Sequence, residues 1–169
     1  AWQYPEPDTL AYIIFTSGST GRPKGVCINN RSLTDYCTKF TEFTRLKPDP
    51  EGRFDHHVVM NMYSINFDAH VRTLLCPLYH GMAVLLPRQD DWLDPTYISN
   101  LISTHMVTFT DCTPTVASIL FRSPYMSSCN SLEAWGCGGE ALTQDLVKQI
   151  KKAIPRIEVV NTYGPTEAS

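Results

Sequence analysis

The strongest constraint on this chain is its alternation between short apolar runs rich in β-branched residues and longer stretches with helical spacing. That pattern is the signature of a parallel sheet covered by helices. Residues 11–15 read as a first buried strand and 25–28 as a short second one, and 57–64, 82–87, 106–112 and 157–161 continue the series. Leu33, Tyr36, Cys37, Phe40 and Phe43 form a helical stripe that Asn30 or Ser32 is placed to cap. Val71, Leu74, Leu75 and Leu78 form another, closed by His80 and Gly81. Further helices are expected from about Pro95 through Ile98, Leu101 and Ile102, from Pro114, and across Leu142, Leu146, Val147 and Ile150. The segment 132–139 lies between the last two, and 122–131 reads as a surface loop before it. The expected class is α/β with a mostly parallel sheet. Its informative motifs fall in turns after strands, where the carboxyl ends of strands and the amino ends of helices meet a ligand.

With 169 residues, 43% of them hydrophobic, the chain can bury one core of ordinary size. It opens at Ala1 and stops at Ser169 directly after a dense motif, so both ends read as cuts in a longer protein. Fourteen basic against 17 acidic residues leave a formal charge of −3, which offers no electrostatic footprint for nucleic acid or an anionic membrane. No apolar run approaches the roughly 20 residues of a spanning helix, and the N-terminus lacks the regions of a signal peptide. The chain reads as soluble and cytoplasmic. Its six cysteines, Cys27, Cys37, Cys76, Cys112, Cys129 and Cys137, include no C-x-x-C pair and sit mostly in apolar contexts, as buried thiols of a reducing compartment do. A zinc site built with His56 and His57 is the sharper alternative; a solvated strand entry is the plainer reading of those two histidines.

Between the first two strands runs TSGSTGRPKG, Thr16 to Gly25. Ser17, Ser19 and Thr20 supply hydroxyls beside Thr16, Gly18 and Gly21 allow close backbone approach, and Lys24 adds a mobile positive charge, which are the parts needed to hold a polyphosphate. It is no Walker A loop, because Pro23 precedes Lys24 and Gly25 follows it. Alone, such a composition also suits a flexible surface turn. At the other end of the chain, Asn161-Thr162-Tyr163-Gly164-Pro165-Thr166-Glu167 follows the last strand. In isolation it is a Gly-Pro turn with an exposed glutamate.

Together the two strings resemble the paired signatures of the adenylate-forming superfamily, which includes acyl-CoA synthetases, luciferases and the adenylation domains of nonribosomal peptide synthetases. The resemblance implies ATP as nucleotide. It implies that Tyr163 stacks on adenine, that Asn161 reads the adenine edge, that Thr166 bonds the α-phosphate and that Glu167 positions Mg²⁺. Thr166, Glu167 and Lys24 are then the residues that serve the chemistry, with Thr162 and Gly164 completing the nucleotide motif. Gly138, Gly139 and Glu140 resemble the glycine pair that family members place beside adenine and substrate.

Phe67-Asp68-Ala69 resembles the peptide-synthetase motif in which an aspartate meets the substrate's α-ammonium, so Asp68 is expected in that role. On the residues alone, Asp68 also suits an N-terminal helix cap. Similarity to the family's side-chain-recognition positions points further to Ala69, Arg72, Asp111, Gly136, Gly138 and Thr162. If Arg72 and Asp111 both face a pocket, it holds a polar, acidic or amide side chain, with Gly136 and Gly138 leaving volume at its floor. Alternatively the two charges pair with each other, or Arg72 lies on a solvated face. His70 and Arg72 depart from the residues frequent at those places. The resemblance makes residues 1–169 a central fragment of an adenylation domain that lacks the ribose-binding aspartate, the hinge and the C-terminal subdomain with its catalytic lysine. It implies a ligase that activates an amino acid, or in the alternative a carboxylic acid for a CoA ligase, and transfers it to phosphopantetheine on a carrier-protein domain outside this chain. A noncatalytic nucleotide-binding remnant is the third reading, and the fragment alone is expected to be inactive.

Overall fold

A computed structural model of the chain describes residues 5–17 and 21–168. The expected contributions of Gly18, Ser19 and Thr20 lie outside the described residues.

Strands β3 (Val58–Asn61), β4 (Ala83–Leu85), β5 (Phe109–Cys112), β6 (Ala134–Gly138) and β7 (Glu158–Thr162) form a sheet of order β4-β3-β5-β6-β7. Every neighbouring pair in it is parallel. Its helices are α3 (Ala69–Tyr79), α4 (Pro95–Thr104), α5 (Pro114–Phe121) and α6 (Gln144–Ala153), each leading from one strand to the next as parallel pairing requires. The inner strands β3, β5 and β6 are buried on both faces, with period-two alternation between two cores. Met60, Trp135 and Cys137 pack with Ile98 and Ile102 of α4, Leu120 of α5 and Ile150 of α6. Val59, Phe109 and Ala134 point the other way, toward Cys76 of α3 and toward Cys37 and Phe40. Those last two belong to α1 (Asn30–Thr38) and α2 (Phe40–Thr44), two helices that meet at Lys39.

The chain starts outside this sheet. β1 (Leu10–Thr16) and β2 (Lys24–Asn29) pair antiparallel as a hairpin of their own. A connection this short can join only antiparallel strands. Its loop is the glycine-rich segment.

Local chemistry explains most helix starts. Pro114 stands in the first turn of α5 behind Thr113, whose side chain accepts from the Val116 amide, and Asp94 accepts from the amides of Thr96 and Tyr97 at the head of α4. The cap of α1 is Asn29, whose side chain accepts from the Ser32 amide, one residue ahead of the expected Asn30. Asn30 instead donates to the Thr9 carbonyl. Residues 122–131 also depart from a plain surface loop: Pro124–Ser128 wind into a 3₁₀ turn, and Met126 and Cys129 are fully buried.

The inner face of α3 is rotated from the expected one. Leu78 is 54% exposed, while Arg72, Thr73 and Cys76 are buried. Polar partners fix that rotation. The Thr73 hydroxyl donates to Asn61 Oδ1 at 2.7 Å, and Arg72 reaches a carboxylate on β5.

Of the two histidines ahead of β3, His56 is exposed, as a solvated strand entry is, and His57 is not. His57 is fully buried, with Nδ1 at 3.1 Å from the Thr108 hydroxyl and Nε2 at 2.9 Å from the Lys47 carbonyl. Both ring nitrogens are engaged, so it is neither a solvated residue nor a free metal ligand. Among the described residues, Asp49, Asp55 and His56 do bring ligand atoms within 4.8 Å of one another. Asp49 already accepts from the Glu51 and Arg53 amides and from the Arg53 guanidinium, which account for that cluster structurally.

Candidate active site

Strand order reverses between β3 and β5: the chain leaves β3 for the edge strand β4, then returns to the opposite flank of β3. In an open parallel sheet the crevice outside the carboxyl ends at such a point is the natural ligand site. Here the segment after β3 supplies Tyr63, Phe67 and Asp68, β5 ends in Asp111 and Cys112, and β6 ends in Gly138.

A cleft opens at this place. Its walls include Phe67, Asp68, Ala69 and Arg72 from the start of α3, Gly138 and Gly139 from the end of β6, and Thr162, Tyr163, Gly164 and Thr166 from the end of β7 and the turn beyond it. A second opening adjoins it and is lined by Thr16 and Ser17 of the hairpin, again with Phe67, Asp68 and Thr166. Asp68 and Thr166 thus line both. The two signature strings, remote in sequence, meet across the Phe67–Asp68 turn.

Asp68 stands at the cap position of α3 in helical conformation, and its side chain makes no cap hydrogen bond. The capping alternative is therefore not what the carboxylate does. The Tyr163 ring is 96% exposed, an open flat face beside the cleft, and Asn161 and Glu167 are exposed near it. Thr162 sits over Gly138: its hydroxyl donates to the Cys137 carbonyl at 3.0 Å, and a Cβ on Gly138 would collide with that hydroxyl. Gly138 is there for close approach.

Other expected residues lie elsewhere. Lys24 pairs with Thr16 in the hairpin ladder, is exposed and lines neither opening; Gly21 takes the left-handed φ of +78° that the loop requires. Glu140 accepts from the Thr115 amide at 3.0 Å and from the Thr115 hydroxyl at 2.5 Å, so it ties β6 to the first turn of α5. The Thr115 hydroxyl holds its carboxyl below the usual range.

Behind the cleft is a buried polar network. Arg72, 9% exposed, places Nη2 at 2.5 Å from Asp111 Oδ2, and Asp111 is wholly buried. The Tyr63 hydroxyl donates to Asp111 Oδ1 at 2.7 Å, and Arg72 Nη1 donates to the Tyr36 hydroxyl at 3.4 Å. The charges of Arg72 and Asp111 thus pair with each other. Asp111 does not line the cleft; Arg72, Tyr36 and Tyr63 do. Nor does Gly136 leave room at a floor, because a Cβ there would stand 2.5 Å from Asp111 Cγ. That space belongs to the carboxylate. Burial pushes the Asp111 carboxyl up, against the pull of Arg72 and Tyr63. Burial likewise raises the Tyr63 and Tyr36 phenols. For Arg72 burial opposes the charge, but Asp111 and the two phenols outweigh it and the guanidinium stays protonated. Tyr36 and Tyr63 were not foreseen as site residues. Their hydroxyls matter only because tertiary packing carries them to the charged pair.

Comparison with known proteins identifies the family and the fold. Residues 2–169 match the model of the AMP-binding enzyme family, and the chain belongs to that family. It is 33% identical over 162 residues to tyrocidine synthase 3 of Brevibacillus parabrevis and 36% identical over 163 to nonribosomal peptide synthetase 1 of Aspergillus fumigatus; each match covers 96% of this chain and 2% of the relative. Indigoidine synthase of Streptomyces lavendulae is 34% identical, over 96% of this chain and 12% of that protein. The chain therefore spans only a small part of the relatives it matches. Among solved structures, the adenylation domain AlmE of Vibrio cholerae, in complex with glycyl-adenosine-5'-phosphate, superposes with a TM-score of 0.80 at 27% identity, over 97% of this chain and 30% of that one. VinN, in complex with L-aspartate, superposes at 0.78 and 23% identity over 98% of this chain and 40% of that one, and shares the fold.

Proposed function

We propose that this chain is the central part of an adenylation domain that activates an amino acid with ATP and passes it to the phosphopantetheine thiol of a carrier-protein domain, thiol and carrier both lying outside this 169-residue chain. The substrate carboxylate oxygen attacks the α-phosphorus of ATP and pyrophosphate leaves. The thiol then attacks the acyl carbon of the aminoacyl-adenylate, a thioester forms and AMP departs. Neither step asks the protein for a nucleophile; it supplies position and charge compensation.

The observation that carries this reading is Asp68. Its carboxylate makes no cap bond, lines both openings, and shares each with Thr166 of the second motif. An amino acid whose ammonium meets Asp68 has its carboxylate directed toward the phosphate side of the cleft. A carboxylic acid without an amine would leave that carboxylate unpaired. Exposed Tyr163 suits stacking on adenine, Thr16, Ser17 and Thr166 offer hydroxyls to the phosphates, and Glu167 offers an oxygen to Mg²⁺, which would neutralise phosphate charge. Arg72, Ala69, Gly138 and Thr162 bound the substrate side. Consumption of ATP and the free state of the six cysteines support a cytoplasmic setting.

Asp68→Ala in the longer synthetase tests this, by amino-acid-dependent ATP–pyrophosphate exchange. The expected result is a rise of a hundredfold or more in the amino-acid KM with the ATP KM unmoved, in line with losing the partner of a buried charge, worth about 3–5 kcal/mol. Unchanged amino-acid kinetics would remove the assignment.

A further inference from the structure

Arg72 and Asp111 form a closed ion pair, and this has a consequence for what the cleft admits. We infer that it takes an amino acid with a short, uncharged side chain, an inference that rests on the amino-acid reading of Asp68 given above.

Arg72 follows Asp68 by four positions, so it lies on the same face of α3 about one turn, roughly 5–6 Å, farther along. A substrate held at Asp68 by its ammonium meets the Arg72 end of the cleft within a few side-chain atoms. That end is walled by the guanidinium and by Tyr36 and Tyr63. The two glycines that would otherwise deepen it do not: the space at Gly136 is filled by Asp111, and that at Gly138 by Thr162.

Charge narrows the choice further. An acidic side chain meets a guanidinium whose charge Asp111 already neutralises at Nη2, so joining the pair would leave one more buried negative charge than positive. A basic side chain finds no free carboxylate at that end, because Asp111 lies behind the wall with both oxygens already facing Arg72 and Tyr63. A large apolar side chain would need the space at Gly136 and Gly138 that Asp111 and Thr162 already fill. A short neutral side chain, bare or carrying one hydroxyl, leaves the network intact.

The test is pyrophosphate exchange by the longer synthetase over a panel of glycine, alanine, serine, aspartate, glutamate, lysine, leucine and phenylalanine, with acetate and propionate as acids that lack the amine. A short uncharged amino acid should exceed every acidic, basic and bulky one in kcat/KM by at least tenfold. Preference for an acidic, basic or bulky apolar amino acid overturns this inference alone. Activation of only those acids that lack an amino group overturns the amino-acid reading and this inference with it. Asp111→Asn supplies a second arm. It is isosteric and frees Arg72, so the ratio of aspartate to alanine turnover should rise at least tenfold; an unmoved ratio overturns the charge argument. Should that variant fail to fold, Tyr63→Phe removes one of the two partners of Asp111. It is expected to raise the amino-acid KM several-fold with the ATP KM constant, and equal movement of both overturns the assignment.

Discussion

Replacing Arg72 by methionine tests the buried pair most directly, and its cost can be worked out. Asp111 is fully buried and would keep only the Tyr63 hydroxyl, 2.7 Å away. Removing one partner of a buried pair costs about 3–5 kcal/mol. The acid has an escape, which is to bind a proton. From an unfolded-state pKa near 3.9, protonation at pH 7 costs about 1.36 kcal/mol per unit over roughly three units, or about 4 kcal/mol, and that is a ceiling on the penalty from the stranded charge. Burial already pushes the Asp111 carboxyl up in the intact protein, and removing Arg72 removes the strongest opposing pull. The variant's folded pKa is thus raised above the unfolded value. Its stability relative to the parent is recovered below about pH 4 and lost as pH rises through the folded pKa. The expected destabilisation is therefore at most about 4 kcal/mol at pH 7 and at most about 1.5 kcal/mol at pH 5, because the intact protein already carries part of the cost. Urea unfolding of the complete domain, followed through the emission of buried Trp135, should show this as a midpoint lowered by up to about 2 M at pH 7 for a slope near 2 kcal/mol/M. The double change Arg72→Met with Asp111→Leu should recover most of the loss at both pH values. A cost below about 1 kcal/mol at pH 7, or one that does not shrink on acidification, refutes the reasoning.

Gly136→Ala would put a methyl 2.6 Å from Asp111 Oδ2, so it should destabilise by about 1–3 kcal/mol in thermal melts and raise the amino-acid KM more than the ATP KM. Wild-type stability without a kinetic change would show that the carboxylate has room to move. Native thiol titration at pH 8 should find one fast thiol, exposed Cys27. Burial excludes reagent from the other five and holds Cys129 and Cys137 as thiols, pushed up to about 11 and about 12. Two or more fast thiols would contradict the packing, and all six should react in denaturant. The 169-residue chain by itself should show no amino-acid-dependent pyrophosphate exchange, because it spans only 30 to 40% of the adenylation-fold structures AlmE and VinN. Robust exchange would refute that.

The parallel sheet was legible because its inner strands are buried on both faces and carry apolar, β-branched runs, as Val58–Met60 does. β6 was harder to read, since Ala134–Gly138 carries two glycines and one tryptophan and gains its stability from pairing with β5 and β7. The two strings proposed to hold the nucleotide stood out because each is contiguous, with its glycines and hydroxyls close together in sequence. The cap at Asn29 and the buried Met126 were missed for the opposite reason, since each is decided by one neighbour that local spacing does not identify.

The Arg72 pair shows why a site is less legible than a fold. The family resemblance placed Arg72 and Asp111 near one another but left open whether they faced a ligand, each other or water. The answer depends on Tyr63, which lies on neither element and whose hydroxyl reaches Asp111 across 48 positions. With Tyr63 on one oxygen and Arg72 on the other, the carboxylate has no reason to turn toward the cleft. The glycine at 136 is then a requirement of the aspartate, not an allowance for substrate. A buried ion pair adds little to stability over a well-packed apolar substitute. What this pair contributes is a wall of fixed shape and zero net charge beside Asp68, which leaves Asp68, of the carboxylates that line the two openings among the described residues, to meet the ammonium of the proposed substrate.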